Sequence, residues 1–178
     1  MVYLFLANGF EEIEALCPLD ILRRGGVKVT TVGVGAEEIV GSHGIHVLAD
    51  MRDVFYRDPS PEMVILPGGM PGASNLDASP GVEQAIRAAR SSDGYLAAIC
   101  AAPFVLGKRG LLQGKEAICY PGFEKDLKGA TISKKKVVRD GKIITAAGMG
   151  VALEFGLELL SALKGEAVAA DVKAKILV

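Results

Sequence analysis

Short apolar runs alternate along this chain with amphipathic stretches, and this alternation constrains the fold more than any other feature. The runs Val2–Ala7, Met63–Pro67 and Tyr95–Ile99 are continuously apolar, which predicts strands buried on both faces. The segments Lys28–Val34 and Ile45–Ala49 are rich in β-branched or alternating apolar residues and predict further strands. Because amphipathic stretches separate these strands, the pattern predicts an α/β fold with a mostly parallel sheet and helices on both faces.

Helix boundaries are marked by local signals. Helical spacing over Ile13–Arg24 stops at Gly25-Gly26. Ser79 followed by Pro80 predicts a helix start, because serine caps free N–H groups and proline fits the first turn. The spacing of Val82, Ala85, Ile86 and Ala89 predicts the buried face of this helix. Asp140-Gly141 predicts a hairpin turn. Two C-terminal helices are predicted over Val151–Leu163 and Ala167–Lys175.

Length and composition exclude several classes of protein. The 178 residues predict a single domain spanning 1–178. Half of the residues are hydrophobic and the net charge is −1, which argues against disorder and against a nucleic-acid binder. No apolar run approaches the roughly 18 residues of a membrane span, and the first strand lacks the features of a signal peptide. Three cysteines without an export signal predict reduced thiols and a cytoplasmic location.

Cys100 is the residue that most suggests chemistry. An apolar strand ends at this cysteine, small alanines surround it, and a helix is expected to follow. Small neighbours permit a sharp strand-to-helix turn like that of the Gly-x-Ser-x-Gly nucleophile elbow. A helix N-terminus favours the thiolate and lowers the pKa of a thiol below its usual value of about 8.5. We therefore expect Cys100 to be the most acidic of the three thiols, although a small buried packing residue is the alternative.

Two further segments are expected at the same edge of the sheet. The loop Pro67–Gly72 follows a buried strand, and its glycines allow backbone N–H groups to bind an anion, with a plain tight turn as the alternative. Glu14 lies four residues before Pro18, which cannot donate to the Glu14 carbonyl and predicts a bend there. A glutamate beside such a bend is placed to face a strand-end site. The alternative is a solvated acid in a first helical turn.

The remaining polar and cysteine residues do not indicate a further catalytic or metal site. His43 and His46 are the only histidines, and no further metal ligands are apparent near them, so no metal site is predicted. No histidine follows Cys100, which leaves a Cys–His pair within one chain unsupported. Lys134-Lys135-Lys136 is predicted to be a solvated basic turn. The remaining cysteines, Cys17 and Cys119, are predicted to be packing residues.

Together these motifs resemble the ThiJ/PfpI superfamily, and within it the DJ-one-like branch that includes a parkinsonism-associated deglycase and bacterial relatives. The resemblance covers nearly the whole chain. It rests on an ordered set of segments, namely Glu11-Glu12-Ile13-Glu14, Pro18-Leu19-Asp20, Arg23-Arg24-Gly25-Gly26, Val64–Gly69, Ala97–Pro103, Asp140-Gly141, Ile143-Ile144-Thr145, Glu154-Phe155-Gly156-Leu157 and Val168-Ala169-Ala170.

The resemblance implies a flavodoxin-like three-layer sandwich, a homodimer and a site that needs no cofactor. It implies that Cys100 is the nucleophile and redox-sensitive thiol and that Glu14 is its protonated partner carboxyl. It also implies a backbone anion pocket, which we assign to Gly69 and Ala101 together with Gly68.

The sequence departs from the family pattern at three places. Tyr120 aligns with the usual active-site histidine, and a phenol is a poor base near neutral pH. Ala147-Gly148-Met149-Gly150 stands where the branch often has Arg-Gly-Pro-Gly, so one basic residue is absent while Arg24 remains. Ala101 follows the cysteine where the proteases of the superfamily have histidine, which argues against a protease. We expect Tyr120, Arg24 and a partner subunit's His43 to line the Cys100 pocket.

Three functions are compatible with these residues. The first is a cysteine-dependent deglycase or glyoxalase that acts on methylglyoxal, glyoxal or their adducts. The second is a non-enzymatic stress sensor with chaperone activity, in which oxidation of Cys100 is the signal. The third is a small-acyl hydrolase or amidase, suggested by the elbow-like turn.

Overall fold

The computed structural model describes residues 1–178 and contains a seven-stranded sheet. Eleven strands form in all: β1 Val2–Leu6, β2 Val29–Gly33, β3 Glu38–Val40, β4 His46–Leu48, β5 Met51–Arg52, β6 Met63–Leu66, β7 Tyr95–Ile99, β8 Glu116–Ala117, β9 Thr131–Ile132, β10 Val137–Asp140 and β11 Ile143–Ala146. The main sheet has the order β10-β11-β7-β6-β1-β2-β5. Its neighbouring strands are parallel except the β10–β11 hairpin, which confirms a mostly parallel sheet.

Six α-helices cover the two faces of this sheet: α1 Glu12–Arg24, α2 Gly72–Ala78, α3 Pro80–Ser91, α4 Pro103–Lys108, α5 Ala152–Lys164 and α6 Glu166–Lys175. Successive strand residues point to opposite faces, so Phe5 packs with α2, α3 and α4 while Leu4 and Leu6 pack with α1, α5 and α6. The result is the predicted flavodoxin-like three-layer sandwich. No helix combines the length and the apolar character that crossing a bilayer requires.

The local helix signals are confirmed at α3. The Ser79 hydroxyl accepts a hydrogen bond from the Val82 N–H at 3.3 Å, and all four residues predicted to form the apolar face of this helix are buried. The strand expected at Ile45–Ala49 forms over His46–Leu48, but it pairs with β3 in a separate antiparallel hairpin. The short strand β5 occupies the edge of the main sheet beside β2. The apolar pattern did not predict this because edge pairing depends on contacts distant in sequence.

The topology brings four loops to one edge of the sheet. These loops follow β1, β6, β7 and β11, four strands that are adjacent and parallel in the sheet. Their carboxyl ends therefore meet, and the strand order reverses direction between β1 and β6. Open α/β sheets bind ligands at such a position.

Candidate active site

Cys100 lies immediately beyond the end of β7 in a left-handed backbone conformation, with φ of 64°. This conformation is costly for a residue with a side chain and persists where the surrounding structure holds it. Here the Cys100 N–H donates to the Ala146 carbonyl at 2.9 Å, and the Tyr120 N–H donates to the Cys100 carbonyl at 2.7 Å. The strained turn holds the half-buried sulfur at the edge of the sheet, where the Gly69 and Ala101 N–H groups donate to it.

Glu14 lies in the first turn of α1 and is only 1% exposed. Its Oε2 accepts a hydrogen bond from the Gly68 N–H at 2.9 Å, its carboxyl group also accepts from the Met149 N–H, and it shares a hydrogen bond with the Cys100 thiol. The Glu11 N–H donates to the Gly68 carbonyl at 3.0 Å, which ties the start of α1 to the glycine loop. The buried carboxyl and the thiol therefore form one hydrogen-bonded pair.

This pair holds one proton over a wide pH range. Burial raises the pKa of Glu14 from 4.5 to about 7, although hydrogen bonds from Cys100 and the Gly68 N–H oppose the shift. With Glu14 ionised, burial and the adjacent negative charge raise the pKa of Cys100 to about 12. The pair therefore loses one proton near neutral pH and the second only in strong alkali. When the remaining proton resides on Glu14, the sulfur is a thiolate that accepts hydrogen bonds from the carboxyl and from two backbone N–H groups.

The expectation that Cys100 is the most acidic thiol is wrong while Glu14 is ionised. Burial raises the pKa of all three thiols, that of Cys119 to about 11 and that of Cys17 by a smaller amount. The helix expected after the strand forms and begins at Pro103, and the Ala101 N–H that precedes it donates to the sulfur, but burial and the charge of Glu14 have larger effects on the thiol pKa. A buried carboxyl stands beside the thiol, and the position of its proton decides whether the thiolate forms.

The backbone N–H groups of the glycine loop donate to different partners from those predicted. The Gly68 N–H was expected to bind a substrate anion, but it is occupied by the Glu14 carboxylate. The Gly69 N–H faces the sulfur instead. A Cβ atom at Gly68 would lie 2.5 Å from Glu14 Oε2 and 2.6 Å from the Cys100 Cβ, so only glycine fits between the two groups.

A cavity of about 370 Å³ lies beside the loop that follows β11, close to the Cys100–Glu14 pair. Gly148 lines this cavity, and a Cβ atom at Gly148 would lie 3.9 Å from both the Cys100 Sγ and the Glu14 Oε1. Tyr120 is 52% exposed and forms another wall, with its Cδ2 atom 3.4 Å from the same Cβ position. Met149 and Lys136 also line this cavity. The prediction of a solvated basic turn is confirmed, since Lys134, Lys135 and Lys136 are exposed in a bend, but the sequence did not indicate that Lys136 also lines this cavity.

Arg24 does not lie at its own chain's thiol. It is the last residue of α1, ten positions after Glu14, which corresponds to about 15 Å along a helix. Its Nε donates to Asp20 Oδ2 at 2.6 Å on the exposed surface. The expectation that Arg24 lines the Cys100 pocket is therefore wrong within one chain, because the retained motif sits at the opposite end of the helix.

His43 is held by the start of α1. Its backbone N–H donates to Glu12 Oε1 at 2.7 Å, and its Nδ1 lies 2.9 Å from Glu12 Oε2. Burial alone would raise the pKa of Glu12, but hydrogen bonds from the His43 ring and from backbone N–H groups lower it to about 2. The hydrogen bond to Glu12 and the charges of Glu11 and Glu12 raise the pKa of the exposed His43.

The fold supplies neighbours for His43 that sequence spacing did not reveal. Potential metal-ligating atoms of Glu11, Glu12 and His43 lie within 4.8 Å of one another. Both Glu12 oxygens already accept hydrogen bonds, one from the His43 backbone and the other from the Ser42 hydroxyl. The cluster is thus closed by its own hydrogen bonds, which join the loop before β4 to α1.

The fold and the thiol–carboxyl pair define a flavodoxin-like protein with a buried cysteine–glutamate site. The model of the DJ-1/PfpI family matches residues 1–162. The chain is 37% identical to protein dj-1beta of Drosophila melanogaster over 176 residues, which cover 97% of this chain and 94% of that protein. It therefore belongs to the DJ-1/PfpI family.

The chain is also similar to a protein named as a glyoxalase and to a solved structure of an oxidized DJ-1. A Caenorhabditis elegans protein named glutathione-independent glyoxalase DJR-1.2 is 31% identical over 156 residues, covering 87% of this chain and 83% of that protein. The solved structure of oxidized Toxoplasma gondii DJ-1 superimposes with a TM-score of 0.94 at 32% identity, covering 99% of this chain and 97% of that one.

Proposed function

We propose that this protein is a cofactor-free, cysteine-dependent glyoxalase that acts on small reactive aldehydes such as methylglyoxal and glyoxal, and a deglycase for their adducts. The observation that carries this proposal is the Cys100–Glu14 pair, which holds one proton near neutral pH. A nucleophile and a proton donor in direct contact are what addition to an aldehyde requires. The relative named as a glyoxalase supports the same activity.

The reaction on methylglyoxal begins with addition. The Cys100 thiolate forms a C–S bond to the aldehyde carbon, and the carbonyl oxygen takes the proton of Glu14, which gives a hemithioacetal. The Glu14 carboxylate then removes the hydrogen of that carbon as a proton. The electron pair forms a double bond to the neighbouring carbonyl carbon, and the oxygen of that carbonyl takes the negative charge, which gives an enediolate.

Rearrangement and hydrolysis complete the cycle. Glu14 returns the proton to the second carbon while a hydroxyl proton moves from the first oxygen to the second, which produces a hydroxy-acid thioester. Water attacks the thioester carbon, the C–S bond breaks, and the sulfur leaves as the thiolate. One proton of the water passes to the Glu14 carboxylate, which restores the starting pair, and the other is released to solvent as lactic acid ionises. The balance is methylglyoxal plus water to lactate plus one proton, and no external oxidant is consumed.

The deciding experiment follows aldehyde loss and hydroxy-acid formation together. Cys100→Ala should abolish both, whereas Cys17→Ala, which removes a thiol within α1, should retain them. Glu14→Gln should reduce turnover strongly, because an amide cannot relay the proton. Full turnover by Cys100→Ala would exclude the mechanism. Preformed adducts of methylglyoxal with amines test the deglycase activity separately.

A redox-sensing function with chaperone output is the second candidate, favoured by the structural similarity to an oxidized DJ-1. Peroxide would oxidise the Cys100 thiolate to a sulfenate and then a sulfinate, releasing one water at each step. The Gly69 and Ala101 N–H groups and the protonated Glu14 would then donate to the sulfinate oxygens. Stoichiometric oxidation of Cys100 without turnover of any aldehyde or small acyl substrate would favour this function over the glyoxalase and over a hydrolase or amidase.

We also propose a homodimer formed through the surface around the start of α1. Ile13, Ile45 and Leu48 are exposed by 49%, 52% and 74%, although they are large apolar residues. Such a patch is typical of an interface. In this dimer a partner subunit's His43 would lie near Cys100. Light scattering of wild type and Leu48→Lys tests the assembly, and an unchanged Cys100 labelling rate in His43→Ala would argue against the histidine's role.

A further inference from the structure

The cavity beside Cys100 contains one charged side chain. Among the eight residues that line it, only Lys136 carries a charge, and the others include Tyr120, Met149 and three residues of the Ala147–Gly150 turn. The Lys136 carbonyl accepts a hydrogen bond from the Ala147 N–H at 2.9 Å, so the base of this side chain is fixed against that turn. The backbone of Lys136 is therefore fixed beside the cavity that its side chain lines.

Lys134, Lys135 and Lys136 all lack a salt bridge, and of these three only Lys136 lines the cavity. Lys115 pairs with Asp140 at 3.1 Å and Lys142 with Asp93 at 3.3 Å, whereas Lys136 forms no salt bridge. An unpaired ammonium group beside an open cavity retains its attraction for an anion. Gly148 belongs to the wall of this cavity, and a Cβ atom at Gly148 would lie 3.9 Å from the Cys100 sulfur, so the wall of the cavity is close to the reacting atom.

We infer that Lys136 is a specificity-determining residue of the Cys100 site, and that it favours carbonyl compounds carrying a carboxylate over neutral ones. This inference rests on the proposed function, in which Cys100 is the reacting group. The thiolate is itself negative and repels an anionic substrate, and one nearby cation offsets that repulsion. The hydroxy-acid product of the proposed reaction also carries a carboxylate, so the same residue would hold the product as it forms.

Alkylation of Cys100 tests the inference without turnover. Iodoacetate and iodoacetamide attack the same thiolate but differ in charge, so the ratio of their rates reports the local potential and cancels the thiolate fraction. Lys136→Gln should lower this ratio by about two- to tenfold at low salt, as expected for loss of one partly screened charge. Lys136→Arg should preserve the ratio, and Lys135→Gln, a matched change at an exposed neighbour outside the cavity, should leave it unchanged.

Protection by small aldehydes provides a second readout. Glyoxylate is an aldehyde with an adjacent carboxylate; it adds to the thiolate to form a hemithioacetal and stops there, because its neighbouring carbon is already an acid. Its apparent affinity, measured as protection of Cys100 from iodoacetamide, should fall in Lys136→Gln by the same about two- to tenfold, whereas neutral acetaldehyde should protect both proteins equally.

The outcomes separate the inference from the function on which it rests. An unchanged rate ratio and unchanged glyoxylate protection in Lys136→Gln would overturn the role of Lys136, even if methylglyoxal is still consumed. A lowered ratio together with lowered glyoxylate protection would support the anionic subsite. If Lys136→Gln lowered the ratio of the iodoacetate and iodoacetamide rates but wild type consumed no aldehyde, the anionic subsite would be supported and the glyoxalase function would be excluded.

Discussion

Replacing Glu14 with glutamine should remove a pH dependence from the stability of this protein. The pKa of Glu14 is raised by burial from 4.5 to about 7 in the folded state. Below about pH 4.5 the carboxyl is protonated in both folded and unfolded chains. Between about pH 4.5 and 7 only the unfolded chain releases the proton, so the stability contributed by the neutral carboxyl is lost as the pH rises. At about 1.4 kcal/mol per pH unit, the loss amounts to about 3 kcal/mol.

Urea unfolding followed by circular dichroism measures this loss. Wild type and Glu14→Gln are compared at fixed protein concentration from about pH 4.5 to 7.5, and the difference between them cancels the groups that they share. The free energy of unfolding of wild type should fall by about 3 kcal/mol relative to the variant across this interval. Cys100→Ala should lose at least as much stability over this interval as wild type, because burial remains the largest cause of the raised pKa of Glu14 and the opposing hydrogen bond from Cys100 is removed. Parallel curves for wild type and Glu14→Gln would refute a buried, neutral carboxyl.

Three further changes test the geometry. Gly68→Ala should lower the melting temperature and disrupt the site, because its Cβ atom would lie 2.5 Å from Glu14 Oε2. Gly148→Ala makes no contact closer than 3.4 Å, so it should melt like wild type but slow the labelling of the Cys100 thiol by iodoacetamide. Glu12→Gln should lower stability near neutral pH by about 1 to 2 kcal/mol, and urea unfolding should show the difference vanishing as the pH falls from about 4.5 to 2, where the depressed pKa of Glu12 is reached. Ser79→Ala should cost about 1 to 2 kcal/mol in the same assay, because it removes a helix cap and a hydrogen bond to Asp53; a loss below about 0.5 kcal/mol would contradict the cap.

The sequence alone determined the layers of this protein. Apolar runs, helical spacing and capping residues act within a few positions along the chain, so they predicted β1, β6, β7 and α3 and the three-layer arrangement. The same local pattern placed Cys100 at the carboxyl end of a buried strand. The family resemblance then assigned Glu14 as its partner, an assignment that spacing alone could not make.

Only the tertiary structure decided the chemistry of the site. Glu14 and Gly68 are 54 positions apart, and Glu12 and His43 are 31 apart, yet both pairs are in hydrogen-bond contact. The tertiary structure removed Arg24 from the thiol and brought Lys136 to the adjoining cavity. It also buried Cys100 beside the Glu14 carboxyl, which reverses the predicted direction of the shift in the thiol's pKa. The physical reason is that hydrophobic periodicity is a property of neighbouring residues, whereas desolvation and Coulomb interactions depend on distances in space that only the folded chain fixes.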